Sequence, residues 1–199
     1  MKIKICGLTR PQDIMAMNEY QPDYAGFVIN FPKSRRSVTP QRVYELTEQL
    51  LPSISVVGVT VDQPLSLVSD LLNDGILDIA QLHGSEDEDY IRTLKEQTGK
   101  PVWKAFRIRS QEDLDRAVES CADLVLLDNG YGTGEAFDWT LIRDIGRPFA
   151  LAGGLTTENL KDAARMKPCL VDVSSGAETN GIKDPKKIKK LVEIVRRIP

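Results

Sequence analysis

Lys2-Ile3-Lys4-Ile5-Cys6-Gly7-Leu8-Thr9-Arg10-Pro11 opens the chain and sets its repeating pattern. Residues 2–5 are a short β-type run that ends on Cys6-Gly7. Thr9-Arg10-Pro11 is a helix start, with proline pre-set for the first turn. Strand, polar turn and helix in so few residues make one β/α unit, and the unit then repeats to the far end. Candidate strands fall at residues 2–6, 24–30, 55–61, 78–83, 102–108, 124–128, 149–152 and 170–174. Several are apolar throughout and rich in β-branched residues, as parallel strands covered on both faces should be.

Helical patterns fill the gaps. Thr39 precedes Pro40 as an N-cap, and Ser85 with Glu88 has capping-box spacing. Ser110 with Asp113 is similar. Thr156-Thr157 begins the seventh helix and Asp184-Pro185 the last. Lys186, Lys187, Lys189 and Lys190 resemble an anion patch, but Ile188, Leu191, Val192 and Val195 form an apolar stripe at helical spacing. The lysines are therefore expected on the solvated face. Eight repeats in 199 residues leave little room for insertions. The expectation is an α/β chain folded as a single (βα)8 TIM barrel of parallel strands, with 1–199 as one catalytic domain. An open doubly wound sheet fits the pattern less well, because most use fewer strands.

The net charge of −3 gives no strong field toward nucleic acid or an anionic membrane. Cys6, Cys121 and Cys169 are odd in number and far apart, so they suggest neither a disulfide framework nor a zinc site. A single histidine, His83, cannot build a histidine-rich metal site. No signal-type hydrophobic region, membrane-length apolar run or N-x-[ST] sequon is present. A reducing cytoplasm is expected.

Polar residues collect at the strand ends, the catalytic face of a barrel. They are Cys6, Arg35-Arg36, Asp62, His83, Arg107, Asp128, Gly153-Gly154 and Ser174-Ser175-Gly176. The last two groups lie in the loops after strands seven and eight, where barrels commonly bind phosphate through backbone N–H groups. Gly130, Gly132 and Gly134 give GxGxG rather than GxGxxG, and Gly99-Lys100 precedes Pro101 rather than Ser or Thr, so neither is a nucleotide loop.

Asp128 closes the apolar run 124–127, so partial desolvation favours its acid form. Asn129 to Gly134 read as a lid or tight loop over it. Cys6 is by default a small buried thiol; as a base or nucleophile it needs a nearby positive charge. Lys4, two residues earlier, shares its side of the strand. Lys4 is expected to point into the barrel and bias Cys6 toward thiolate. His83 is a neighbour of the substrate or a structural hydrogen-bond partner. Arg35-Arg36 is a solvated basic turn or a planar clamp for a carboxylate.

The ordered motif set resembles phosphoribosylanthranilate isomerase. The matching pieces are Lys4-Ile5-Cys6-Gly7-Leu8-Thr9, Gly26-Phe27-Val28, Pro32-Lys33-Ser34-Arg35-Arg36, Val57-Gly58-Val59 and Gln81-Leu82-His83-Gly84. They continue through Leu126-Leu127-Asp128, Gly132-Thr133-Gly134, Phe137-Asp138-Trp139 and Ala152-Gly153-Gly154-Leu155. Val171-Asp172-Val173-Ser174-Ser175-Gly176, with Glu178, Gly181, Lys183 and Asp184, completes the set.

The resemblance implies a cofactor-free, metal-free Amadori rearrangement of N-(5-phosphoribosyl)anthranilate to 1-(2-carboxyphenylamino)-1-deoxyribulose 5-phosphate, in tryptophan biosynthesis. It assigns the general base to Cys6 and the general acid to Asp128. Arg36 falls on the position that holds the anthranilate carboxylate, and Gly153, Gly154, Ser174, Ser175 and Gly176 on the phosphate loops. The loop after Asp128 is shorter than in many relatives and the second-strand segment one residue longer, which leaves Arg35 and Arg36 both open as the clamp. Relatives of this type occur as monomers, dimers and fused domains; a monomer or homodimer is expected. The alternatives are a catalytically silent or a dual-substrate phosphate-binding barrel. A histidine-pathway isomerase pairs two aspartates, whereas the first strand here ends in Cys6.

Overall fold

Side-chain alternation along each strand separates two cores. In a computed structural model that describes residues 1–128, 139, 142 and 145–198, eight parallel strands close a barrel. They are β1 (Lys2–Cys6), β2 (Tyr24–Ile29), β3 (Ser55–Thr60), β4 (Ile79–Leu82), β5 (Val102–Arg107), β6 (Leu124–Asp128), β7 (Phe149–Leu151) and β8 (Leu170–Val173). Each pairs with the next, and β8 pairs with β1, Lys4 opposite Asp172. Ile3 and Ile5 of β1 belong to the outer core between strands and helices. Lys4 and Cys6 alternate with them and face inward, in register with Tyr24 and Gly26. The inner core is a smaller apolar cluster that includes Val57, Ile79, Trp103, Leu124, Leu126, Ala150 and Leu170. Tyr24 packs edge-on against Trp103 with ring centroids 5.1 Å apart.

Among the described residues the helices are α1 (Pro11–Tyr20), α2 (Pro40–Thr47), α3 (Leu65–Asn73), α4 (Glu88–Thr98), α5 (Gln111–Glu119), α6 (Leu160–Ala163) and α7 (Pro185–Arg196). Thr39 caps α2 by accepting from the Arg42 amide, as expected, and Ser110 caps α5. The α7 lysines are exposed and Ile188, Leu191, Val192 and Val195 buried, also as expected.

Several boundaries differ from expectation. Asn30, Val61, His83, Ile108, Ala152 and Ser174 lie beyond their strands. Asn30 and Asp62 take left-handed backbone angles, φ 48° and 50°, that turn the chain out of the ladder. The α4 cap is Asp87, which accepts from Tyr90, whereas Ser85 bonds Asp62 of the preceding loop. The helix expected to begin at Thr156 is α6, which starts at Leu160 after a turn. Two short pairings are additional: Ser37–Val38 beside β2, and a hairpin of Glu178–Thr179 with Ile182–Lys183. The 129–134 loop lies outside the described residues.

Candidate active site

The carboxyl end of β1 carries the thiol. Cys6 is 7% exposed, and Lys4 beneath it is fully buried, so Lys4 points into the barrel as its spacing predicts. The Lys4 Nζ lies 2.8 Å from Asp172 Oδ2 on β8. Room for this stack comes from Gly26, where a Cβ would stand 2.8 Å from Lys4 Cε and 3.0 Å from Cys6 Sγ. Asp172 Oδ1 is buried and has no hydrogen-bond partner among the described residues.

Electrostatics divide the expected bias. Burial pushes the Cys6 thiol up; Lys4 pulls it down, and Asp172 pushes it up again. Burial outweighs Lys4, so the thiol titrates above its ordinary range, and Lys4 moderates this rise without reversing it. Burial pulls the Lys4 ammonium down, but Asp172 and Cys6 more than offset this and hold it above the ordinary lysine range.

The opposite wall ends β6. Asp128 is 9% exposed, and its Oδ2 lies 3.2 Å from His83 Nε2. The other ring nitrogen, Nδ1, lies 3.4 Å from Gln81 Nε2. With the Gln81 amide so oriented, Nδ1 accepts and Nε2 carries the proton toward Asp128. Gln81 is buried, and its Oε1 has no partner among the described residues.

Two loops roof one end. Gly153 and Gly154 have φ of 84° and 65°, angles that side chains rarely adopt, and they bend the backbone into a concavity. A Cβ on Gly176 would stand 1.9 Å from the Leu155 carbonyl oxygen, so the two loops touch. The backbone N–H groups of Gly153, Gly154, Ser175 and Gly176 make no hydrogen bonds among the described residues. That set is what a phosphate-sized anion needs.

The arginine pair borders the same cavity. Arg36 crosses Gly7, where a Cβ would stand 2.3 Å from Arg36 Cδ. Both arginines bond Glu178 of the hairpin, and Arg36 is the more enclosed, with its side chain 17% exposed against 59% for Arg35. The buried Lys183 completes the cluster through Glu178 Oε1 at 2.7 Å and the Ser174 carbonyl at 3.0 Å. Burial works to raise the Glu178 carboxyl, but bonds from Arg36 and Lys183 hold it at about 2. Burial lowers the Lys183 ammonium.

A cavity of about 580 Å³ unites these parts, lined by Cys6, His83, Asp128, Arg35, Arg36, Gly153, Gly154, Ser174 and Ser175. Gly176 and the fully buried Lys4 are not part of that lining. Asp62 instead accepts from Ser85, bridging two loops. Arg107 registers beside Asp128 in the β5–β6 ladder. No cluster of metal-ligating side chains is found among the described residues, and no helix there is long and apolar enough to cross a membrane.

Sequence reasoning missed Asp172, Gln81, Glu178 and Lys183 as site residues in their own right. The available signals were period-two steps, Gln81 before His83 and Asp172 before Ser174, each placing a polar side chain one layer below a strand-end residue.

Fold and cavity together define an enzyme of the (βα)8-barrel class. The family model for N-(5'-phosphoribosyl)anthranilate (PRA) isomerase matches residues 3–194. The N-(5'-phosphoribosyl)anthranilate isomerase of Clostridium kluyveri is 44% identical, over 100% of this chain and 99% of that one. A solved phosphoribosylanthranilate isomerase in complex with reduced 1-(o-carboxyphenylamino)-1-deoxyribulose 5-phosphate superposes with a TM-score of 0.85 at 34% identity, covering 98% of both chains. A structure of monomers of the dimeric enzyme from Thermotoga maritima gives 0.86 at 35% identity, again over 98% of both chains. The chain belongs to the phosphoribosylanthranilate isomerase family, isomerases of tryptophan biosynthesis.

Proposed function

We propose that the chain, as one (βα)8 catalytic unit over 1–199, converts N-(5-phosphoribosyl)anthranilate to 1-(2-carboxyphenylamino)-1-deoxyribulose 5-phosphate, with Asp128 as general acid and Cys6 as general base. The observation that carries this reading is that the Cys6 thiol and the Asp128 carboxyl line one cavity with Gly153, Gly154, Ser174, Ser175 and the Arg35-Arg36 pair. Amides of the 153–154 and 174–176 loops take the phosphate. Arg36, the more enclosed of the pair, takes the ring carboxylate.

Asp128 gives a proton to the furanose oxygen as the C1–oxygen bond breaks, and the nitrogen lone pair forms the C1=N bond of a cationic Schiff base. That cation acidifies the C2 hydrogen. Cys6, as thiolate, removes it, and the electron pair moves through C1=C2 to nitrogen, leaving an enol. Proton return to C1 and loss of the C2 hydroxyl proton give the ketone. Two groups of opposite proton state suit such a transfer. His83 orients the Asp128 carboxyl from 3.2 Å.

The steps use no metal or cofactor. Free thiols at all three cysteines are consistent with a reducing cytoplasm. Loss of anthranilate-type fluorescence on adding the protein to fresh phosphoribosylanthranilate tests the assignment. Turnover that persists in EDTA is expected. No turnover, or turnover that chelation abolishes and a divalent metal restores, would contradict it.

A further inference from the structure

Glu178 collects three cationic side chains. It accepts from Arg35 Nη2 at 2.6 Å, from Lys183 Nζ at 2.7 Å, and from Arg36 through Nε at 2.6 Å and Nη2 at 2.9 Å. The Arg36 contact is two-pronged and uses the side edge of the guanidinium. A guanidinium has a second fork, the Nη1–Nη2 end, of the same width as a carboxylate. Arg36 Nη1 makes no hydrogen bond among the described residues, and Arg36 lines the cavity. The stem is fixed as well, because it lies against Gly7 with no space for a Cβ between them. A free arginine loses rotamer freedom when it binds. Here much of that freedom is already gone in the folded protein. Lys183 ties the same carboxylate to the Ser174 carbonyl, at the proposed phosphate end.

We infer that Glu178 is a positioning residue that sets specificity: by holding the side edge of Arg36, it presents the Nη1–Nη2 edge to the substrate's ring carboxylate. The inference rests on the proposed role of Arg36. Glu178 does not touch the substrate; it acts through Arg36. A carboxylate present only to neutralise the arginines would compete with the substrate. One that occupies a single fork leaves the other ready.

The test compares two substrates, made from ribose 5-phosphate with anthranilate or with aniline, which lacks the carboxylate. Product formation is followed chromatographically for wild type, Arg36→Ala, Glu178→Gln and Glu178→Asp, each checked by thermal melt. Wild type should prefer the anthranilate compound, and Arg36→Ala should lose that preference. Glu178→Gln should lose about tenfold of it, through a higher KM for the carboxylated substrate with kcat nearly unchanged. Glu178→Asp should keep part of it, and carries the test if Glu178→Gln does not fold. Undiminished preference in a folded Glu178 variant, or a lower KM in Glu178→Gln, would overturn the inference. A wild type without preference, or an Arg36→Ala variant that keeps it, instead removes the Arg36 reading on which the inference stands.

Discussion

Burial raises the Cys6 thiol, Lys4 lowers it and Asp172 raises it again, with a net shift upward. If the thiolate is the base, kcat/KM climbs with pH along a limb centred above the ordinary thiol range. Asn in place of Asp172 must aim its carbonyl at the Lys4 ammonium, since an NH2 there would face a donor. The lost negative charge should therefore move the limb of Asp172→Asn to lower pH. A pH profile of kcat/KM for both proteins checks it; an unmoved limb would mean that Asp172 does not act on Cys6. Lys4 was legible in the sequence because period two puts it on the Cys6 side. Asp172 was less so, because a lone acid in an apolar run has no stated purpose until its partner, 168 residues away, comes beside it.

At the scale of elements, the eight strands and the placement of the helices follow directly from apolar runs alternating with caps. The ends were less legible. Asp87 rather than Ser85 caps α4, because the Ser85 hydroxyl and amide are both spent on Asp62. The Glu178–Thr179 and Ile182–Lys183 hairpin is too short for periodicity to register, although Asn180-Gly181 at its tip is a turn signal that sequence reading could have used. The two loop elements at the proposed phosphate end meet at Gly176, where a methyl group would strike the Leu155 carbonyl. Gly176→Ala should thus cost about 1–3 kcal/mol of stability in urea melts. It should also weaken the stabilisation of the protein by inorganic phosphate, read as a smaller rise in Tm with phosphate concentration. An alanine variant as stable as wild type and equally responsive to phosphate would contradict the packing and the site together.

At the scale of the whole molecule, barrel closure makes the site. Cys6 ends β1 and Asp128 ends β6, and only the closed ladder of parallel strands sets them on one cavity. The charged pair inside the barrel, Lys4 with Asp172, is a costly way to fill a core. It is better understood as positioning for Cys6 than as a source of stability. In the proposed mechanism the two walls act in order, Asp128 opening the ring and Cys6 then taking the C2 proton. A single-turnover reaction with enzyme in excess, quenched with borodeuteride, tests it most directly, because the label lands on C1 of a trapped Schiff base and on C2 of the ketone product. Wild type should give C2 label. Cys6→Ala should give label at C1 above the level without enzyme, and Asp128→Asn should give neither above that level. Label at C2 from Cys6→Ala or Asp128→Asn at the wild-type rate would contradict the account.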